Sequence, residues 1–305
     1  MDLFKVTSGR LWSVKAERVG KERVIQSLIE ANMQEAFRAT FLATEYSTGA
    51  KHAGRIDSLG IDENHTPVVF EYKRSADANV VMQALYYLDW LVDHKAEFEK
   101  LVAEKQGSDS VSEVDWTSPR VVCIAESYTK FDQHAVAQMG REIELIEYTH
   151  YPDGFLILNL VSGGSSASSA TPSKPGASIS VVKKDYTPEE VLSQLGKTRP
   201  WAEEILEYAS ELGSDVSIRP LKVYIAIRTS KNFACVSGAK DNLVMSFHLD
   251  PKDQSIVSDC ANCRDVSSIG HWGTGDLQLF IKSDADVTKA KELLDLAYAT
   301  RTGGA

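Results

Sequence analysis

Apolar residues recur at helical spacing over residues 22–37, where Val24, Ile25, Leu28, Ile29, Met33 and Phe37 predict one amphipathic helix. The period then shortens. Residues 41–48 read as extended, and apolar runs at 54–61 and 68–73 bracket the polar segment Asp62-Glu63-Asn64-His65-Thr66-Pro67, the pattern of a strand, a turn and a second strand. Residues 79–101 predict a long helix, 120–126 a buried strand, 134–141 a short helix, and 143–148 and 155–160 two further strands. The order α, β, β, β, α, β, α, β, β predicts an α/β fold, a mixed sheet flanked by helices.

Periodicity is lost over residues 162–184, a run of Ser, Gly, Ala and Pro too poor in bulky apolar side chains to offset the entropy of ordering it. It reads as a flexible linker between a domain at 1–161 and a second at 185–305. In the second, Thr187-Pro188-Glu189-Glu190 carries a helix start: a capping hydroxyl, proline in the first turn and acids beside the positive end. A helix at 201–212, strands at 221–229, 233–237, 243–249 and 277–283, and an amphipathic helix at 286–299 predict a smaller, antiparallel α+β domain of two layers.

Composition narrows the function classes. The chain has 305 residues, 43% hydrophobic and 25% charged, with 9 Pro and 19 Gly, which excludes collagenous, disordered and disulfide-scaffold proteins. Apolar runs such as Phe155-Leu156-Ile157-Leu158 fall far short of the roughly 20 residues that cross a bilayer. The start, Met1-Asp2-Leu3-Phe4-Lys5, lacks the apolar core of a secretion signal, and only 4 cysteines are present, so a cytoplasmic location is expected. A net charge of -10 opposes binding of nucleic acid over the whole surface; any such contact must use a local basic patch.

The predicted hairpin carries the candidate chemistry. Asp57 and Glu71 are equidistant from Asn64, so a turn centred there sets the two acids opposite each other across the ladder. Lys73, two residues beyond Glu71, shares its face, while Phe70 and Tyr72 point away. A slip of one residue would undo this. Two carboxylates on a rigid sheet suit Mg²⁺ or Mn²⁺, and a neighbouring lysine can orient an attacking water, which points to hydrolysis of a phosphodiester. An Asp followed by Glu-x-Lys is by itself a weak signal, since most such triplets are surface charges. Here, however, the acids interrupt apolar runs in a predicted sheet interior, where an unpaired charge is costly.

Taken together, Glu22-x-x-Ile25-x-x-x-Ile29-x-x-Asn32, Gly54-Arg55-Ile56-Asp57, Glu71-Tyr72-Lys73-Arg74 and Gln83-Ala84-Leu85-Tyr86-Tyr87-Leu88 resemble the restriction-endonuclease-like PD-(D/E)XK superfamily, most closely the nuclease domain of NucS-like endonucleases. The resemblance covers roughly residues 20–130. It implies a Mg²⁺-dependent DNA endonuclease of repair or defence, with Asp57 and Glu71 as metal ligands and Lys73 as catalytic lysine. Glu22 would complete the metal site directly or through water, Gln83 and Tyr87 would position the site or the DNA strand, and Arg55 and Arg74 would hold phosphate oxygens. Homodimerisation is compatible with such nucleases. The position of the superfamily's proline is Ile56, and the segment before Glu22 is shorter than the DNA-binding domain of NucS-like enzymes, so their substrate preference does not carry over. The competing function is a nucleic-acid-binding or regulatory module that keeps the fold without turnover.

Other features have plainer explanations. Tyr86, Tyr87, Trp90 and Phe98 lie at helical spacing and read as core before they read as a base-stacking stripe. His52 reads as a loop histidine, Cys260-Ala261-Asn262-Cys263 as a reduced loop without a second metal-binding pair, and Cys123 as a small buried residue. The second domain resembles an uncharacterised family often appended to nucleases. Lys222, Tyr224 and Arg228, with the glycine-bracketed His271-Trp272, are candidates for a face that binds an anionic ligand, and the domain as a whole is expected to bind or dimerise.

Overall fold

The computed structural model describes residues 2–74, 80–139, 141–162, 186–213, 215–268 and 274–300. Nearly all of the expected linker at 162–184, the start of the expected helix at residue 79, and His271-Trp272 lie outside the described residues. The chain divides into two compact units, Met1–Ala177 and Ser178–Ala305.

The first unit opens with a hairpin, β1 (Leu3–Thr7) and β2 (Arg10–Val14), which the hydrophobic pattern does not announce. There follow α1 (Glu22–Ala31), α2 (Met33–Phe37), β3 (Ala39–Ser47), α3 (Gly49–His52), β4 (Arg55–Asp62), β5 (Pro67–Tyr72), α4 (Val80–Asp93), α5 (Lys95–Gln106), β6 (Arg120–Ala125), α6 (Lys130–Gln138), β7 (Glu142–His150) and β8 (Leu156–Ser162). The last six strands form one mixed sheet in the order β3-β4-β5-β6-β7-β8. Pairing is parallel at β5–β6 and β6–β7 and antiparallel elsewhere.

Helices cover both faces, which is why β5 and β6 are buried along their whole length. Leu59, Ile61, Val69, Val121 and Cys123 pack under α4 and α5 through Ala84, Leu88, Leu91, Phe98 and Val102. The alternate residues Val68, Phe70, Tyr72, Val122 and Ile124 pack against Ile25, Ile29, Met33 and Phe37 of α1 and α2. Of the aromatics expected in the core, Tyr87 and Trp90 of α4 and Phe98 of α5 are buried, but Tyr86 is 48% exposed.

Both long helices expected from sequence are broken by a side chain that competes for a backbone acceptor. The Asn32 amide donates to the Leu28 carbonyl (2.8 Å) between α1 and α2, and Asn32 leaves the helical conformation. Between α4 and α5, His94 Nδ1 lies 2.7 Å from the Trp90 carbonyl and the chain departs from helical geometry at His94. On α1 the inward stripe is also rotated from the one expected: Val24 and Leu28 are exposed, and Gln26 is buried in their place.

The β4–β5 turn is pinned by Asp62, whose Oδ1 accepts from the Asn64 and Thr66 N–H groups at 2.9 Å each. Its Oδ2 meets the buried Arg120 guanidinium at 2.6 Å, and Arg120 also reaches Glu144 at 2.7 Å. Two carboxylates thus share one guanidinium within the core, and that pairing is the condition for burying them at all.

The second unit contains α7 (Pro188–Leu192), α8 (Arg199–Glu211), β9 (Ser217–Pro220), β10 (Tyr224–Arg228), β11 (Asn232–Ala239), β12 (Asn242–Phe247), α9 (Gln254–Val257), β13 (Cys263–Asp265), β14 (Leu277–Ile281) and α10 (Asp284–Thr300). Its sheet is antiparallel throughout, in the order β13-β14-β12-β11-β10-β9, with α7, α8 and α10 packed on one face. Cys260 and Cys263, expected as reduced thiols, are joined by a disulfide; their turn brings the Cα atoms to 5.2 Å, within the range a bridge requires. Tyr224 and Arg228 are buried and Lys222 is exposed, so these three do not line one open face. No helix among the described residues is long and apolar enough to cross a membrane.

Candidate active site

The hairpin register fixes the candidate site. Cα partners run Ile61 with Pro67, Gly60 with Val68, Leu59 with Val69 and Ser58 with Phe70. Asp57 and Glu71 are the next pair in that series, and there the ladder opens so that carboxylates replace carbonyls as acceptors. The Asp57 N–H donates to Glu71 Oε1 (3.4 Å), and the Tyr72 N–H donates to Asp57 Oδ2 (3.0 Å). The two acids are therefore held side by side by each other's strand.

Glu71 has no exposed surface, and its Oε2 has no hydrogen-bond partner among the described residues. Burial, followed by the charge of Asp57, pushes its pKa up to about 9. Asp57 is raised as well, by burial first, against the opposing effects of the Tyr72 N–H and Lys73. Glu71 is thus held as a neutral acid beside Asp57; its deprotonation would set two carboxylates side by side in the sheet interior, an arrangement that a cation seated between them would relieve.

Lys73 supplies part of that positive charge. Its backbone N–H closes the sheet onto the Ile124 carbonyl (2.9 Å), and its ammonium reaches Glu22, the first residue of α1, at 3.6 Å. Burial pulls the Lys73 pKa down, but Glu22, Asp57 and Glu71 together outweigh it and raise it, so the side chain is an ammonium. Glu22 thus faces the lysine. Among the described residues no group of three or more His, Cys, Asp or Glu side chains converges as a ready-made metal cage; Asp57 and Glu71 are a two-carboxylate seat. Such a seat fits Mg²⁺ or Mn²⁺, hard cations that fill their remaining positions with water and substrate oxygens.

Sequence reasoning missed the polar side chains beneath this pair. Gln26 Nε2 lies within bonding distance of the Asp57 carbonyl (3.0 Å), Glu30 Oε1 (3.1 Å) and Glu45 Oε1 (3.2 Å). Ser58 Oγ donates to Glu30 Oε1 (2.6 Å) and lies 3.3 Å from the fully buried Tyr72 hydroxyl. The signal was present as Glu22, Gln26 and Glu30, each one helical turn from the next. It was obscured by the more numerous apolar residues of the same helix.

The remaining candidates frame the site. Gln83 Nε2 donates to the Tyr87 hydroxyl (3.3 Å), and that hydroxyl accepts from the Arg55 N–H (3.3 Å), so the pair on α4 braces the start of β4. The Arg55 guanidinium pairs with Glu45 at 2.5 Å and is 68% exposed; Arg74 is exposed and donates to the Gly20 carbonyl at 3.5 Å. His52 lies outside this group, in a neighbouring cleft with Thr48, Trp90, Asp93, His94 and Glu97.

Residues 189–301 match the model of a family described as a domain of unknown function, DUF5655. An uncharacterised protein of Haemophilus influenzae is 28% identical over 296 residues, covering 93% of this chain and 94% of that protein. Two solved structures are similar at 21% identity over 44% of this chain: a repair endonuclease from Pyrococcus abyssi and EndoMS in complex with double-stranded DNA. The matches span 50% and 47% of those chains, so this chain matches about half of their length, with a TM-score of 0.28 in each case.

Proposed function

We propose that the N-terminal unit is a divalent-cation-dependent DNA endonuclease that hydrolyses phosphodiester bonds, and that the C-terminal unit serves binding or assembly. The observation that carries this reading is the buried Glu71 carboxyl group, one oxygen without a partner among the described residues, against Asp57 and within electrostatic reach of the Lys73 ammonium.

In this reading Asp57 and Glu71 hold Mg²⁺ or Mn²⁺, which when bound supplies positive charge to the scissile phosphate and acidifies water. Lys73, fixed by Glu22, donates a hydrogen bond that orients the attacking water, and its positive charge stabilises the negative charge that builds on the phosphate. As an ammonium it is not the base. Gln83 and Tyr87 fix the strand that carries Asp57, and Gln26 holds that residue's carbonyl. Arg55 and Arg74 are placed to take phosphate oxygens, Arg55 by exchanging Glu45 for a phosphate.

The test is cleavage of a panel of flap, mismatched, single-stranded and duplex DNA with and without Mn²⁺. Activity is expected with the cation and lost in Asp57→Ala and Lys73→Ala proteins that still fold. Full cleavage by a folded, contaminant-free double variant would reject the assignment.

A further inference from the structure

The β1–β2 hairpin is an unusual element for the edge of a folded unit. Every residue of its strands is exposed except the half-buried Leu3 and Val14. A lone two-stranded ribbon is marginal in water, and this one has apolar side chains on both faces. Cross-strand register sets Phe4, Val6 and Leu11 on one face, exposed by 47%, 69% and 67%. Trp12, 59% exposed, is on the other, directly opposite Lys5.

The segment is also basic in an acidic protein. Lys5, Arg10, Lys15, Arg18 and Lys21 stand against Asp2 and Glu17 in a chain of net charge -10. Lys5 reaches Asp153 at 3.3 Å, and the Glu17 N–H bonds the His150 carbonyl at 2.8 Å, tying the hairpin's base to the end of β7. Arg10, Lys15, Arg18 and Lys21 are exposed and form no ion pair among the described residues. The same stretch runs directly into the site, since Gly20 accepts from Arg74 and Glu22 meets Lys73.

We infer that this hairpin is a DNA-gripping ribbon. Arg10, Lys15, Arg18 and Lys21 form a phosphate track leading to Lys73, and Trp12 packs against nucleobases. The inference rests on the nuclease reading and adds a substrate contact to it. Charge complementarity selects the occupant: a polyanion neutralises these cations, whereas a second copy of the hairpin would set like charges against each other. Exposed aromatics among cations are the usual platform for stacked bases.

The test is fluorescence anisotropy of labelled single-stranded and duplex DNA with the full chain in EDTA, so that the Asp57–Glu71 seat contributes nothing. Arg10→Ala/Lys15→Ala/Arg18→Ala is expected to bind at least about tenfold more weakly near ~0.1 M salt and to flatten the salt dependence by roughly 0.7–0.9 per lost contact. Trp12→Ala is expected to weaken binding about tenfold with the salt dependence unchanged. Wild-type affinity in both variants, or no DNA binding by the wild-type chain, would overturn the inference. So would a dimer in sedimentation that Phe4→Asp/Leu11→Asp dissociates while DNA affinity stays unchanged. Mn²⁺ calorimetry on the same proteins separates the two readings. Retained cation uptake with unaltered DNA binding removes the hairpin's role alone, whereas no uptake by the wild-type chain removes the nuclease reading.

Discussion

The ring of Tyr87 fills the space that a side chain on Gly54 would need. A Cβ built on Gly54 would lie 2.6 Å from Tyr87 Cε1 and 3.2 Å from its hydroxyl. The first residue of the Gly-Arg-Ile-Asp run is thus coupled to α4: the glycine admits the tyrosine, and the tyrosine hydroxyl accepts from the Arg55 N–H. Gly54→Ala is therefore expected to displace the ring and cost about 1–3 kcal/mol of stability, the usual penalty of overpacking. Cleavage should fall further than in Tyr87→Phe, which loses the hydroxyl and keeps the ring. Denaturant unfolding and single-turnover cleavage of the two variants check the order.

Gln26 should matter to both folding and activity. Its amide is buried among the Asp57 carbonyl, Glu30, Glu45 and Thr44. Gln26→Ala removes the buried donor that these acceptors share, while Glu30 keeps Ser58 and Glu45 keeps Arg55, at a cost of about 1–3 kcal/mol. Because one of them is the backbone of Asp57, cleavage among folded molecules should also drop, by about tenfold for a tilt that misaligns the carboxylate. Normal cleavage in a destabilised Gln26→Ala protein would make the residue purely structural.

The site's burial has a pH signature. Folding raises the Glu71 pKa from 4.5 to about 9. A carboxyl whose pKa is higher in the folded state contributes stability that is complete below its unfolded value and is lost as pH rises through the folded one. Between pH 4.5 and about 9 the metal-free protein should accordingly lose stability at this position. Glu71→Gln should lose less over the same window, and Mn²⁺ should restore the wild-type protein at the alkaline end. Thermal melts of both proteins across that range provide the check; identical pH slopes would contradict the shift.

The Arg120 triad gives a control that separates folding from chemistry. Arg120→Met leaves Asp62 and Glu144 buried without their partner, a change that costs about 3–5 kcal/mol. Arg120 sits at the first position of β6, beside Val68, whereas Glu71 lies beside Cys123 farther along the same pair of strands. The variant is expected to unfold at much lower denaturant while its folded fraction binds Mn²⁺ with wild-type affinity.

The sheet, its strand boundaries to within a few residues and the pairing of Asp57 with Glu71 were legible because the register follows from one turn centred on Asn64 and from period-two alternation. What escaped depends on side chains that bond the backbone. Asn32 and His94 end helices by occupying a carbonyl, an effect that hydrophobic spacing does not encode. Gln26 escaped because a buried amide looks like a surface residue until the acceptors around it are seen. The N-terminal hairpin had one readable mark, Ser8-Gly9, whose positive φ angles of 51° and 75° form its turn. Its exposed apolar residues gave no single-sided alternation to follow.

Calorimetric titration of Mn²⁺ into the full chain and into Glu71→Gln goes most directly to the heart of the account. The wild-type protein should take up the cation with release of protons to the buffer, and uptake at this seat should vanish in Glu71→Gln while its unfolding stays cooperative. Equal heat and affinity in the two proteins would locate the cation elsewhere and leave Asp57 and Glu71 as nothing more than a buried pair of acids.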